Sequence, residues 1–488
     1  MFPRSRYHDY FKPSDTAQSR DLIEQLGAAS RAENQAAASR LRTICALFEL
    51  RRCQRGERED WAVDTWAAVG AEVAAALRIS LAKAGSYMSY GLALLRLPAV
   101  AAVFDAGDID MEVFTAIVYR SALITDEAAL AAVDAELAAQ VGRWPSMTRG
   151  RLATKIDLVI SRHDRDAVRR AGERVADRRV RLWDNGDGTA ELDGVITSTD
   201  AAALDARLDA LAATVCPDDP RTVEQRRADA LGALAVGLER LACRCGSAQC
   251  PAGERPTNTS VVIHVVAEQA TVEGRSDKPA YLLGPNTLIS AQLVAELAEE
   301  AQRRPLFDFT TSDAEQRYRP STALAEFVRA RDLTCRAPGC DRPALDCDLD
   351  HTIPWPTGPT HASNIKCLCR VHHLLKTFWG WRDEQLPDGT VIWTLPGGHR
   401  YVTTSGSALL FPQLCLPTGE LAPASKPVDD RCGERTTMMP TRKRTRAQNR
   451  AQAIAAERAH NRRQRRIQHA GIVDDPPPAD NDADPPPF

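Results

Sequence analysis

The chain is poor in aromatic residues, which make up 6% of its 488 positions, while Ala supplies much of its 44% hydrophobic content. That balance argues against β-sandwiches and for closely packed helices. Long hydrophobic runs are also missing. The most apolar stretch, Leu92 to Phe104, is broken by Arg96 and Pro98 and is too short to span a bilayer. The opening residues, MFPRSRYHDYFKPSD, are polar and charged and carry no apolar signal core. The expectation is a chain with no membrane partner in a reducing, cytoplasmic compartment. Net charge is nearly absent at −3, but it is unevenly spread. Residues 442–466 hold ten Lys or Arg against Glu457 alone, a net of +9, whereas Asp474, Asp475, Asp480, Asp482 and Asp484 make the end acidic.

Cysteine is abundant. There are 13, an odd number, grouped at metal-like spacings rather than as a disulfide framework. Three of them, Cys243, Cys245 and Cys250, lie in the segment CRCGSAQCPAG. They read either as a flexible loop of reduced thiols or as part of a zinc site completed by Cys216 or His264. The apolar run SVVIHVVAE (260–268) reads as a buried strand, and His264 within it as a core histidine.

Size alone suggests two to four domains. Helical periodicity covers Asp15 to Leu50, resumes over Ala67 to Leu97 with Gly85 and Gly91 as weak points, and restarts at Pro98. Further helices are expected near 111–122, 126–141, 147–172, 199–214, 221–242 and 287–303. Val73 to Leu95 also fits a helix-turn-helix pattern, which Ala-rich bundles produce equally. The period changes at Val180, where two alternating runs flank Asn185-Gly186-Asp187-Gly188, a hairpin signal.

The densest chemistry lies between Arg331 and Trp379. Cys335 and Cys340 form a thiol pair on a short loop. DCDLDHTI, containing Asp350 and His351, reads as a strand entering a turn. Asn364 introduces a second short strand, after which Cys369, His372, His373 and Lys376 open a helix. Residues three apart share a helix face, so Cys369 and His372 point together, while His373 is turned by about 100°. One helix start therefore serves two sites. Cys335, Cys340, Cys369 and His372 make a closed N/S set suited to structural Zn2+. Asp350 and His373 make a hard site with room for water and phosphate, suited to Mg2+ or another divalent ion. Cys347 and Cys367 could replace a zinc ligand but read as small buried strand residues. His361 reads as solvated, and Lys376 as a possible phosphate contact.

The order Asp350-His351, Asn364, His373 among paired zinc ligands resembles the HNH endonuclease family and its ββα-metal, treble-clef-like fold. The resemblance implies that His351 is the general base, that Asp350 and His373 hold the catalytic ion, and that Asn364 positions the loop carrying the base. His372 stands where many zinc-bearing relatives have a second cysteine. Upstream, the Ala-rich helices, the LPAV…GDID segment, the DNGDGTAELDG hairpin and the CRCG…C loop are similar to the mycobacterial 13E12-repeat family, a domain of unknown function found before HNH modules. That second resemblance covers roughly residues 20–310 and implies no catalytic residues.

The expected architecture has three parts. Residues 15–310 form a mainly α domain with a small β-hairpin insertion. Residues 320–403 form a small α+β HNH domain with an appended β-hairpin. Residues 404–488 form a Pro-rich linker, a basic tail and a disordered end. The expected function is metal-dependent hydrolysis of DNA, bound through the HNH module and the basic tail 442–466, with a homodimer as the expected assembly; the alternative is a non-catalytic zinc-stapled nucleic-acid binder of mobile-element origin. The acidic end is expected to screen the basic tail.

Overall fold

The computed structural model describes residues 16–145, 147–168, 178–185, 188–196, 198–252, 264–284, 287–299, 301–306, 309, 313–419 and 438–473. The acidic end and most of the Pro-rich linker lie outside the described residues. The chain is mainly helical, and its sheets are small and antiparallel. It forms two compact units: Met1–Arg170 with Thr377–Gly380 and Arg431–Phe488, and Ala171–Lys376 with Trp381–Asp430. Packing thus cuts the expected 15–310 segment at residue 170.

Unit 1 is a helical bundle of α1 (Ala17–Arg55), α2 (Thr65–Leu77), α3 (Leu81–Arg96), α4 (Pro98–Asp105), α5 (Met111–Ser121), α6 (Glu127–Val141) and α7 (Arg149–His163). Its starts are sharp because side chains satisfy the first amides. Asp64, Ser80, Asp110 and Asp126 each accept from the third residue of the following helix. Pro98 opens α4, and the buried Asp134 carboxylate accepts from Ala99 and Val100 N–H at 2.8 and 2.9 Å. Negative charge at that N-terminus matches the helix dipole. Leu41, Met88, Leu97, Phe104, Phe114, Ile117 and Ile156 fill the core, with Phe104 stacked on Phe114 at 4.7 Å.

Gly91 is a contact point rather than a weak one. A Cβ there would meet the Leu41 carbonyl oxygen at 2.9 Å, so its bare backbone lets α3 pack against α1. α2 and α3 meet at 110°, within the helix-turn-helix range, yet Val69, Val73, Ala84 and Met88 turn their apolar faces into the bundle core. No single helix among the described residues is long and apolar enough to cross a membrane.

The basic tail, expected within a separate segment over 404–488 and as a phosphate contact, is packed into unit 1. Residues Arg446–Val473 form a helix belonging to unit 1. Ile454 packs against the bundle core, and buried Asn461 donates to the carbonyls of Asp166 and Val168. Arg442 and Arg446 bond buried Asp64, Arg458 bonds Asp164, and Arg462 and Arg465 bond Asp166. The carboxylates that receive these arginines lie between 294 and 382 residues away in sequence, which composition of the tail alone could not reveal.

Unit 2 holds every described strand. β1 (Arg179–Asp184) and β2 (Ala190–Val195) form the expected hairpin, closed by Asn185 N–H donating to Thr189 O at 3.0 Å. Helices α8 (Ser198–Ala212) and α9 (Val223–Ala235) follow. Next comes a three-stranded sheet: β3 (His264–Val266), inside the run 260–268 expected as a strand, and β4 (Ala280–Leu283) and β5 (Thr287–Ile289), which periodicity missed, with the short helix α10 (Gln269–Val272) between β3 and β4. The expected helix 287–303 is therefore a strand followed by α11 (Ala291–Ala298), because Thr287 and Ile289 alternate inward and Ser290 caps the helix. Helix α12 (Thr322–Asp332) leads to β6 (Cys347–His351), β7 (Ile365–Cys369) and α13 (Arg370–Phe378). A three-stranded sheet, β8 (Arg382–Gln385), β9 (Val391–Thr394) and β10 (Arg400–Thr403), stands where one appended hairpin was expected. The basic tail helix Arg446–Val473 is labelled α14 below.

Candidate functional site

β6 and β7 pair antiparallel, with Cys347 opposite Cys369, Asp350 opposite Lys366 and His351 opposite Ile365. Alternate residues of a strand face opposite ways, so Asp348 and Asp350 share one face and His351 takes the other. α13 begins directly after Cys369, which brings two rows of functional side chains together at its first turn.

The first row is Cys335, Cys340, Cys369 and His372, whose ligand atoms all lie within 4.8 Å of one another. Cys340 Sγ is 3.9 Å from Cys369 Sγ, and Cys335 Sγ is 3.6 Å from His372 Nδ1. A tetrahedral zinc with ordinary bond lengths needs edges of about 3.8 Å for S–S and about 3.6 Å for S–N. The donor set and its spacing fit that ion. Thiol hydrogen bonds from Cys335 and Cys340 hold the Cys369 thiol well below its ordinary pKa, so one thiolate is already favoured. Burial pushes Cys335 up, and hydrogen bonding to Cys335 and Cys369 pushes Cys340 up. Cys347 and Cys367 are buried strand residues outside this group.

The second row is built on His373. Its Nδ1 lies 2.8 Å from Asp348 Oδ2, and its Nε2 lies 3.5 Å from Asp350 Oδ1. A carboxylate on one ring nitrogen fixes the other as the ligand atom, the usual outer-shell device at metal sites. Neighbouring ligands on one small divalent ion stand about 3 Å apart, so the Asp350–His373 pair is close to that arrangement.

Asp350 is more constrained than its sequence position suggests. Its Oδ2 receives Lys366 Nζ at 2.8 Å and Lys376 Nζ at 2.7 Å, and both lysines also reach Asp383, at 2.5 and 3.2 Å. Burial alone would raise the Asp350 pKa, but Lys366, Lys376 and His373 hold it well below the carboxylate range. Burial works against the charge on Lys366 too, and Asp350 and Asp383 overcome it. Lys376 also donates to the His351 and Thr352 carbonyls, so it is an internal tie rather than a free phosphate contact.

His351 is buried at 7% exposure, with Nε2 at 2.8 Å from Thr360 Oγ1 and its ring stacked 5.5 Å from Tyr318. The Thr360 hydroxyl donates to the Arg317 carbonyl, so it accepts from His351; Nε2 then carries the proton and Nδ1 the lone pair. Burial lowers the His351 pKa from its ordinary 6.5. Asn364 clamps the loop after His351. It accepts from Ile353 N–H at 2.8 Å and donates to the carbonyls of Ile353 and Pro359 at 3.0 and 2.8 Å. Gly358 makes room, since a Cβ there would lie 2.7 Å from the Asn364 amide nitrogen. Buried Arg331 braces the same loop, donating to the carbonyls of Ala362 and Ile365 at 2.7 and 2.8 Å. His361 is buried at 7%, not solvated, because its Nδ1 accepts from Ser363.

Sequence reasoning named neither Asp348, Lys366, Asp383, Thr360 nor Arg331. Only Asp348 left a signal: it sits two residues before Asp350, on the same strand face.

A family profile, "Domain of unknown function (DUF222)", matches residues 28–332, consistent with the similarity drawn over residues 20–310 and ending before the β6–β7–α13 segment. The chain is similar to "Uncharacterized protein Rv2100" of Mycobacterium tuberculosis (strain ATCC 25618 / H37Rv), 45% identical over 92% of this chain and 89% of that protein. "Uncharacterized protein Rv3776" of the same strain is also 45% identical, over 92% of each. A more distant relative, "Uncharacterized protein Rv1128c", is 25% identical over 60% of this chain. No solved structure matches significantly.

Proposed function

The chain belongs to the DUF222 family, and from that premise we propose that the segment following the family's matched span, residues 347–378, is an HNH-type endonuclease site acting on DNA. One observation carries the reading. His373, fixed by Asp348, turns Nε2 toward Oδ1 of Asp350 while Asn364 clamps the loop that follows His351.

Cys335, Cys340, Cys369 and His372 would hold a structural Zn2+, which would tie the loop between α12 and β6 to the β7–α13 junction. A divalent ion on Asp350 and His373, Mg2+ or another that an Asp-His site accepts, supplies charge stabilisation at the leaving oxygen when bound. The chain's own residues do the rest. His351 is neutral at pH 7 because burial lowers its pKa, and its Nδ1 takes a proton from the attacking water. As the water oxygen bonds to phosphorus, the phosphorus bond to the leaving sugar oxygen breaks. Asn364 holds the loop so that His351 keeps its aim, and Lys366 and Lys376 keep Asp350 ionised. DNA contact is assisted by exposed Lys443, Arg444, Arg450, Arg463 and Arg466 of the tail, a salt-sensitive term.

A second reading, a non-catalytic zinc-stapled DNA binder of mobile-element origin, is favoured by one feature. Oδ2 of Asp350 is already bonded to two lysines, so the carboxylate is charge-balanced without an ion. A plasmid-nicking assay with Mg2+, Mn2+ or EDTA, run beside His351→Ala, separates the two. The endonuclease reading expects metal-dependent nicking that His351→Ala loses, with zinc content and fold unchanged. No cutting with any metal, together with salt-sensitive DNA binding, favours the scaffold instead. Cutting retained in His351→Ala removes that residue as the base.

A further inference from the structure

A second group of ligand atoms lies far in sequence from the first. The Sγ atoms of Cys216, Cys243, Cys245 and Cys250 all stand within 4.8 Å of one another, with Cys216 to Cys243 at 3.5 Å. We propose that these four cysteines bind a second structural zinc ion, which ties the end of α8 to the loop following α9.

The donor set is chemically narrow. Four thiolates with no carboxylate and no imidazole form a soft, closed site that selects zinc over Mg2+ or Ca2+ and leaves no position for catalysis. A tetrahedral zinc with four sulfurs needs edges of about 3.8 Å; the 3.5 Å Cys216–Cys243 separation and the 4.8 Å limit on the other pairs bracket that value. A disulfide needs sulfurs about 2.05 Å apart, so the 3.5 Å pair is two thiols and not a bridge. His264, the alternative fourth ligand by sequence, is exposed in β3 opposite Leu283 and outside the group.

The surrounding backbone is shaped for the ion by bonds that do not involve it. Leu241 N–H donates to Thr214 Oγ1 at 2.9 Å, and Arg221 reaches the Ala242 carbonyl at 2.6 Å. Arg244 N–H donates to buried Asp219 at 2.9 Å, so the residues on either side of Cys243 are both anchored to the loop that carries Cys216. Gly246, in the left-handed region at φ +71, turns the chain back, and Cys250 N–H closes the turn on Ser247 O. Four sulfurs are thereby brought together from two loops with most of the ordering cost already met.

There is also a reason for this part of the chain to need a metal. Around α8, α9 and their loops, the buried apolar residues among those described are Leu211, Ala212, Cys216, Ala230, Ala233 and Leu241, mostly small. So little apolar surface supports few elements without a staple.

The test is metal analysis of the full-length chain purified without chelator. Wild type is expected to carry two zinc ions per chain. The double variant Cys245→Ser/Cys250→Ser is expected to carry one, and Cys340→Ser/Cys369→Ser also one, so loss at either site is read independently of nuclease activity. Wild type with one zinc, or a Cys245→Ser/Cys250→Ser variant that keeps both, overturns the proposal. Should that variant fold poorly, wild type alone decides: seven thiols are expected to resist alkylation until a chelator is added. Protection of three thiols only, or a disulfide between any of the four cysteines, equally overturns it.

Discussion

Thr360 engages Nε2 of His351, and burial disfavours the charged ring. The cleavage rate should therefore fall as pH drops through a value below 6.5 and stay level between pH 7 and 8, because only the neutral ring accepts a proton. An acid limb centred above 6.5 in the pH–rate profile would contradict the base role. Asp348 belongs to the same scale. Asp348→Asn keeps the shape but weakens its hold on His373, and removal of such a partner typically costs 10–100-fold in metal affinity. Titrating Mn2+ against nicking activity reads this directly, with zinc content expected to stay constant. The grouping of Cys335, Cys340, Cys369 and His372 was legible in the sequence, because loop spacing and one helical turn dictate it. Asp348 was legible only as the same-face neighbour of Asp350, and Lys366 was not, because the residue facing Asp350 depends on strand register, which local sequence does not specify.

Among the elements, α3 shows how a sequence rule can mislead. A glycine inside a helix costs about 1 kcal/mol relative to alanine, so Gly91→Ala reads as stabilising. In the structure the added methyl group would sit 2.9 Å from the Leu41 carbonyl and 3.4 Å from Cys45 Cβ. A backbone carbonyl cannot rotate aside, and overpacking costs about 1–3 kcal/mol. The clash wins or at best cancels the gain, and Gly91→Ala should destabilise by up to about 2 kcal/mol in a denaturant titration. The bundle helices were legible because their caps and periodic apolar residues are local. The strand β3 was legible as part of the apolar run 260–268, but β4 and β5 were not, since three- and four-residue strands leave almost no period to detect.

For the whole molecule, the basic tail that sequence alone assigned to DNA also carries a structural burden within unit 1. Asp64 caps α2 and is almost fully buried; Arg442 and Arg446 compensate its charge. A chain ending at residue 437 leaves Asp64, Asp164 and Asp166 without these arginines and uncovers the core beneath Ile454. Each buried group left unsatisfied costs about 1–3 kcal/mol. Hydrogen exchange should accelerate across α2 and α7 in that truncation, while β6, β7 and α13 keep their protection. Unchanged exchange in unit 1 would return the tail to a purely ligand-binding role.

The placement of α14 also bears on how the protein is made. Unit 1 begins at the first helices but takes its last one from beyond residue 437, with the whole of unit 2 synthesised in between. At about 5–20 residues per second, a ribosome needs roughly 15–60 s to travel from residue 170 to Asn461. Throughout that interval the emerging bundle has its groove for Ile454 and Asn461 unfilled, whereas unit 2 has its whole chain as soon as residue 430 is made. The part of the protein translated first is thus the last to finish folding, and a chaperone guarding that groove would bind the nascent bundle rather than the later, self-sufficient unit.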